Sequence, residues 1–151
     1  MAYPTRDDRM RTRDKGYVYF QDFIPENTHD IRVIVIGKRA FAIKRMIREN
    51  DFRASGSGKI IYGHEEINLE CISTAFYLAG KLQMQSVAFD FIFTNENQPL
   101  LVEISYAFVN KGYLQCPGYW TSDIEWHEGK FSPEYFMIED FVKSLSNRQV
   151  F

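Results

Sequence analysis

The chain has 151 residues, of which 45% are hydrophobic and 25% charged, a balance that predicts one globular domain. Its formal net charge is −2 at pH 7, which disfavours nucleic-acid binding because domains of that class are usually basic. No apolar run approaches the ~18 residues of a membrane span. The polar first 16 residues do not look like a signal peptide. We therefore expect a cytoplasmic protein that binds neither nucleic acid nor membrane.

The first part of the chain predicts an arm followed by strands. Residues 1–16 carry five basic and three acidic side chains without apolar periodicity, so we interpret them as a flexible arm or a remnant of a preceding segment. Residues 17–24 are rich in β-forming residues and stop at Pro25, which predicts a strand. Residues 30–47 predict a β-hairpin, and a polar loop with two glycines and two serines follows at 48–59.

A helix and a second hairpin are predicted next. Residues 65–83 predict the helix, and the runs SVAFDFIF and PLLVEISYAF predict the two strands of the hairpin. The apolar side chains of the helix that are expected to face the core recur at spacings of three and four residues: Leu69, Ile72, Ala75, Phe76, Ala79 and Leu82.

The chain closes with an aromatic segment and a second helix. Residues 110–132 are predicted to be a long irregular loop, either a packed aromatic plug or the lining of an acceptor pocket. The closing helix is predicted at 132–145, with Ser132 as its N-cap and Pro133 in its first turn. The order of elements predicts that residues 17–151 form one α+β domain, an antiparallel sheet with helices on one face.

Residue types suited to covalent catalysis are sparse in this sequence. Cys71 and Cys116 show no metal-ligand spacing, so we expect two buried thiols, with one disulfide as the alternative. The three histidines have no evident Ser or Asp partners for a catalytic triad. The candidate chemistry therefore rests on acidic and arginine residues.

Two acidic residues interrupt the apolar runs of the second hairpin. A loop at residues 94–99 would place Asp90 directly opposite Glu103, with Cβ atoms ~5 Å apart, and Ser105 on the same face. Two carboxylates so close repel each other unless one is protonated or a cation lies between them. Mg²⁺ commonly takes one or two carboxylates plus phosphate oxygens, so this pattern favours a metal bound with a nucleotide. The alternative is that one acid pairs with an arginine while the other faces solvent.

Two arginines interrupt the first hairpin in the same way. A turn centred between Lys38 and Arg39 would place Arg32 directly opposite Arg45. Paired guanidiniums repel each other but suit a polyanion, since each offers a two-point grip on phosphate or carboxylate. Arg53 follows in the glycine–serine loop, a position from which it can close over a reactive phosphate. The alternative is that these arginines pair with nearby acids, namely Asp30, Glu49 or Asp51.

Five segments in a fixed order carry a resemblance to a known family. They are YVYFQDFIP, DIRVIVIGKRAFAIKR, NDFRASGSG, AFDFIF and LLVEIS, and they lie between residues 17 and 109. Together they resemble the C-terminal half of an ATP-grasp ligase, in the branch of the ribosomal S6 modification enzymes and bacterial glutathione synthetases. Each segment alone is a weak signal, whereas the ordered set is specific.

The resemblance implies binding and catalytic roles for particular residues. Arg32 matches the arginine of the family's D-x-R strand, and Arg45 matches a basic residue near the terminal phosphate. Arg53 matches the arginine of the loop that contacts the acyl phosphate and the acceptor. The residues that match the hinge strand, whose backbone meets adenine, are Gln21, Asp22, Phe23 and Ile24. The family more often has Glu at the position of Asp22.

The resemblance also implies a metal site. Asp90 and Glu103 match the metal-binding acids, which agrees with the register argument above. Two residues after that Glu the family usually has Asn, where this chain has Ser105, and a hydroxyl is a weaker ligand for Mg²⁺ than an amide oxygen. The implied cofactors are ATP and Mg²⁺, with Mn²⁺ as an alternative ion.

The implied reaction has two steps and needs a second lobe. ATP phosphorylates a carboxylate to an acyl phosphate, and an amine, or less often a thiol, then displaces phosphate. In the family, a preceding lobe supplies two lysines and a glycine-rich flap. We expect this chain to be the remaining half of such a site, as a fragment of a longer enzyme; the alternatives are that a partner chain supplies the rest or that the domain is degenerate. The partners expected are ATP, a small-molecule or peptide substrate, the missing lobe and, in one alternative, a second copy of the chain. The alternative function is a non-catalytic nucleotide-binding or interaction module.

Overall fold

The computed structural model describes residues 18, 20–48, 54 and 58–146. The predicted arm at residues 1–16 and Arg53 lie outside the described residues. Within these described residues, seven strands form one antiparallel sheet that is accompanied by two α-helices, which confirms the predicted α+β class. The elements are β1 His29–Ile36, β2 Arg39–Met46, β3 Ile60–Ile61, α1 Leu69–Leu82, β4 Ser86–Phe93, β5 Pro99–Ser105, β6 Gly118–Thr121, β7 Trp126–Glu128 and α2 Pro133–Ser146.

The two predicted hairpins form the centre of the sheet. The strand order is β5-β4-β1-β2-β6-β7, and β3 pairs with β2 beside β6. The sequence prediction missed the hairpin β6–β7, because these strands are short and lie within an aromatic stretch without clear alternation. The interpretation of residues 110–132 as an irregular loop is therefore wrong for residues 118–121 and 126–128.

The helices lie on opposite faces of the sheet, so the prediction that they share one face is wrong. On one face, α1 packs against Val33, Val35 and Phe89. On the other, Phe136 of α2 packs in the cluster that contains Ile34 and Phe41. The central strands carry large apolar residues at both odd and even positions, and two apolar faces each require a cover.

Helix α1 confirms the predicted element but not all of its core positions. Asn68 caps its N-terminus by accepting a hydrogen bond from the backbone N–H of Glu70 at 2.8 Å. Leu69 and Leu82 are exposed, since the buried stripe is shifted by part of a turn. The buried side chains of α1 are Cys71, Ile72, Ala75 and Ala79. Among the described residues, no helix has both the length and the apolar character needed to cross a membrane.

Helix α2 begins as predicted. Pro133 is its first residue, and the hydroxyl of Ser132 accepts a hydrogen bond from the backbone N–H of Tyr135 at 3.4 Å. Arg39 of β2 ties this helix to the sheet through ion pairs with Glu139 at 2.5 Å and Asp140 at 2.9 Å. The helix therefore covers the end of the sheet near the β1–β2 turn.

The β1–β2 turn depends on Gly37, whose φ of +56° favours glycine. A Cβ added there would overlap the Oδ2 atom of Asp140. We expect Gly37→Ala to lower the free energy of unfolding by about 1–3 kcal/mol, because it adds backbone strain and displaces that carboxylate. The control is Gly80→Ala in α1, where the added Cβ meets open space and is expected to stabilise the helix. Urea denaturation measures both changes, and an equal loss in the two variants would contradict this account.

Candidate functional site

One face of the sheet is divided into an apolar half and a charged half. Near the β1–β2 turn, this face carries Ile34, Ile36 and Phe41 beneath α2. At the other end of the same strands, charged side chains replace the apolar ones. Side chains two residues apart share a face of a strand, and this places five of them together: Asp30, Arg32, Arg45, Asp90 and Glu103.

The predicted pairing of the two acids is confirmed. Asp90 lies directly opposite Glu103 in the β4–β5 ladder. The loop runs from 94 to 98, one residue shorter than expected, and a β-bulge between Asp90 and Phe91 absorbs the difference by leaving Val102 unpaired. Bulges re-aim side chains and are frequent next to active sites. Here the bulge directs both Val102 and Glu103 toward one pocket.

The predicted pairing of the two arginines is wrong by two residues. Arg32 faces Ile43, and Arg45 faces Asp30, because the turn consists of Gly37 and Lys38 alone. A shift of two residues preserves the face, so Arg32 and Arg45 remain on the same side as the acids. In the observed register the two arginines no longer lie opposite each other, and each guanidinium contacts two carboxylates.

The five side chains form a row of contacts that alternates in sign, in the order Asp30, Arg45, Asp90, Arg32 and Glu103. Arg45 makes a two-point ion pair with Asp30, at 2.7 and 2.5 Å, and its Nη2 atom also donates to Asp90 at 3.0 Å. Arg32 makes a two-point ion pair with Asp90, at 2.5 and 2.6 Å. The Nη2 atom of Arg32 lies 3.7 Å from Glu103 Oε1. Three carboxylates and two guanidiniums leave one excess negative charge if all are ionised.

Burial differs sharply along this row of charges. Asp90 and Arg45 are only 5% and 7% exposed, whereas the Glu103 side chain is 59% exposed. Burial alone would lower the pKa of Arg45, but its hydrogen bond to Asp30 and the charge of Asp90 outweigh that effect and raise the pKa. Arg45 is therefore a fixed positive charge, and Glu103 is the carboxylate most available to a ligand.

A pocket of about 600 Å³ opens over the charged half. Its wall includes Asp90 and Glu103, and the segment matched to the hinge lines it as well. That segment is not a strand in its described residues 20–24, contrary to prediction, and the side chains of Phe20 and Phe23 are exposed. The residues that line the pocket and belong to the predicted site are Gln21, Asp22, Phe23, Ile24, Arg45, Asp90 and Glu103.

Asn27 holds this segment against the sheet and was missed by the sequence prediction. Its side-chain amide donates to the carbonyl oxygen of Phe93 at 3.0 Å, and its Oδ1 atom accepts from the backbone N–H of Phe93 at 2.7 Å. One side chain thus makes a two-point contact with the edge of the pocket. A single Asn after Pro25 resembles an ordinary turn residue, so the sequence holds no signal for this contact.

Two further predicted residues stand apart from the pocket wall. Arg32 is not among the residues that line the pocket, but it contacts Asp90 and Glu103, which do. Ser105 pairs with Ala88 on the same face, but its hydroxyl donates to the carbonyl oxygen of Ala107 at 2.7 Å. The structure therefore brings the two acids and two arginines together and leaves Ser105 engaged elsewhere.

Tyr113 borders the charged half from the apolar side. It is buried, and its hydroxyl has no hydrogen-bond partner among the described residues. Burial raises the pKa of Tyr113, and the nearby charge of Arg32 opposes that shift. Cys71 and Cys116 are free, buried thiols, and burial raises the pKa of each to about 12. This confirms the expectation of buried thiols and makes both poor nucleophiles.

Comparison with known proteins adds no family assignment. No protein-family model matches the chain, and no curated protein matches it either. The interpretation of the site therefore rests on the geometry described above.

Proposed function

We propose that the chain is the C-terminal part of an ATP-grasp ligase that joins a carboxylate to an amine or thiol through an acyl phosphate. The observation that carries the proposal is the pocket shared by the Gln21–Ile24 segment, Arg45 and the opposed acids Asp90 and Glu103. The resemblance assigns the hinge residues and the acids to one site, although they lie in segments that are far apart in sequence. Their convergence on one pocket supports that assignment.

The residues present fit a hard divalent cation together with phosphate. Glu103 is largely exposed, and its ion pair among the described residues is a distant one, at 3.7 Å from Arg32. Asp90 accepts two hydrogen bonds at Oδ2 and one at Oδ1, so one lone pair of Oδ1 remains free of arginine. Mg²⁺ takes few protein carboxylates and completes its shell with phosphate and water, and Glu103 with Asp90 would hold it. When bound, the ion would neutralise phosphate oxygens.

The arginines are held in place for anion binding. Their ion pairs with the acids use the Nε and Nη2 atoms, and the Nη1 groups take no part in them. Arg45 lines the pocket, so its Nη1 group is a donor for a terminal phosphate or a substrate carboxylate. Because Asp30 and Asp90 fix the guanidinium plane, little side-chain entropy remains to be lost when an anion binds.

In the proposed reaction, the substrate carboxylate attacks the γ-phosphorus of ATP, and ADP leaves with the electrons of the broken P–O bond. The amine then attacks the acyl carbon, phosphate departs with the C–O electron pair, and the nitrogen loses a proton. No covalent bond to the chain is needed. The contribution of Arg32 and Arg45 would be electrostatic, since Arg45 lines the pocket and Arg32 contacts both acids, and positive charge there would stabilise the negative charge that accumulates during phosphoryl transfer.

A second candidate function is a binding module without catalysis. The observation that favours it is the engagement of Asp90 by two arginines, together with the internal hydrogen bond of Ser105. Such a module would keep the pocket and bind a nucleotide or a partner, while the reaction itself would be absent. The two candidates differ in the dependence of binding on Mg²⁺ and in product formation.

Titration calorimetry of the 151-residue chain with ATP tests the proposal, with and without Mg²⁺. The described lining of the pocket contains one arginine and no lysine, so we expect weak binding, with a Kd of roughly 1 mM, that requires Mg²⁺. ADP release is then measured with mixtures of carboxylates and amines on a chain that includes the second lobe. Binding without Mg²⁺ dependence and without ADP release would favour the nucleotide-binding form of the module. No nucleotide binding at all would contradict the ligase and the nucleotide-binding module, and would leave only a module that binds a partner.

A further inference from the structure

Helix α2 has two apolar faces, and only one of them packs on the sheet. Pro133 and Phe136 are buried on the inner face. The outer face carries five large apolar side chains that are between 45% and 63% exposed. We call these residues the outer stripe: Tyr135, Ile138, Phe141, Val142 and Leu145.

The spacing of the outer stripe is that of a helix-pairing seam. Tyr135, Ile138, Val142 and Leu145 recur at intervals of three, four and three residues, as the a and d positions of a heptad do. A large aromatic side chain covers ~150–250 Å². Five large side chains more than two-fifths exposed therefore present on the order of 600 Å², near the upper limit of patches on monomers. Two copies together reach about 1,200 Å², the lower bound for a specific interface.

The charges beside the stripe distinguish between possible occupants. Helix α2 carries three acids, Glu134, Glu139 and Asp140, and one basic residue, Lys143. Arg39 pairs with Glu139 and Asp140, and Lys143 pairs with Glu139, so the helix has no basic face. Interfacial membrane helices instead carry Lys and Arg on their polar face, because membrane surfaces are anionic. Residues 1–16 of the same chain have few large apolar side chains with which to cover five others. The outer stripe of a second copy of the chain has the same length and the same apolar character, so it is the occupant that fits this surface.

We propose that two copies of the chain associate through the outer stripe of α2, with the two helices antiparallel about a two-fold axis. The antiparallel arrangement opposes the helix dipoles and places Ile138 of one copy against Val142 of the other. The interface lies on the side of α2 away from the sheet, so it leaves the pocket accessible. The proposal is independent of the function assigned to that pocket.

Sedimentation equilibrium of the 151-residue chain between about 1 and 200 µM tests this proposal, since an interface of this size supports micromolar affinity. We expect a species of twice the 17.8 kDa chain mass. Ile138→Glu is expected to weaken association at least 100-fold, because dimer formation would bury an unpaired charge. The matched control is Tyr77→Glu, an equally exposed position on α1 at the opposite face, which is expected to leave association unchanged.

A charge-complementation experiment distinguishes the loss of the interface from misfolding of a variant. Val142→Lys alone is expected to be monomeric, and mixing it with Ile138→Glu is expected to restore dimers by pairing the two new charges. Restoration also shows that both variants are folded. A monomeric unsubstituted chain at 200 µM, or an Ile138→Glu variant that dimerises normally, overturns the proposal. Failure of the mixture to dimerise overturns the antiparallel arrangement.

Discussion

Replacing Glu103 with glutamine is expected to abolish the Mg²⁺-dependent part of ATP binding. Glu103 lines the pocket, is largely exposed and makes no short ion pair with any described residue, so its carboxylate is the most accessible of the described carboxylates in the site. We expect a loss of roughly 100-fold or more in affinity, since even indirect metal-site partners contribute 10–100-fold. Stability should change little, because an exposed carboxylate is replaced by an amide of the same shape.

The control for this experiment is Glu96→Gln in the turn of the same hairpin. Glu96 is exposed and lies outside the pocket wall, so the same loss of charge should leave nucleotide binding unchanged. Titrations with Mg²⁺ and with a chelator separate the metal-dependent part of the affinity. If Glu103→Gln binds Mg²⁺ and ATP as the unsubstituted chain does, the metal assignment is wrong. The nucleotide assignment would still stand in that case.

The parts of the site that could be predicted from sequence are those set by side-chain alternation. Asp90 and Glu103 sit inside apolar runs, and a hairpin between two such runs must bring them close together. The same reasoning placed Arg32 and Arg45 on one face. Both arginines lie on that face although the predicted turn was wrong by two residues, because the side chains of a strand return to the same face every two residues.

The parts that could not be predicted depend on contacts distant in sequence. The bulge at Val102 compensates a loop one residue shorter than expected, and no local pattern encodes that compensation. The role of Asn27 requires the backbone of Phe93, which lies 66 residues away. Leu69 and Leu82 fit a helical period but lie outside the buried stripe, because the position of the sheet decides which part of a helix is covered.

The alternation of charge explains how the sheet tolerates acids and arginines in its interior. The sequence left two outcomes open for the acid pair and the arginine pair, namely a bound ligand or ion pairs between acids and arginines, and the structure shows the ion pairs. In the folded chain the positive charges of the arginines neutralise the acids, since Asp90 lies between Arg32 and Arg45. These ion pairs account for the acids and arginines within the sheet without any ligand, and Glu103 is the most exposed member of the row.

This arrangement predicts that Arg45→Met is strongly destabilising. Arg45 is 7% exposed and neutralises both Asp30 and the buried Asp90. Removing it leaves Asp30 without its counterion and Asp90 with Arg32 alone, and we expect the free energy of unfolding to fall by about 3–5 kcal/mol. Urea denaturation at neutral pH measures the change. The matched control is Lys44→Met on the adjacent residue, whose ion pair with the exposed Glu66 should contribute far less.

A double substitution separates the loss of charge pairing from the loss of packing. Asp30→Asn combined with Arg45→Met removes one acid together with its counterion, so part of the stability lost in Arg45→Met should return. The remaining loss reports the contact of Arg45 with Asp90. If the double variant is as unstable as the sum of the two single variants, Asp30 and Arg45 are not coupled. The alternating row of charges would then not be the interaction that holds Arg45 in the pocket wall.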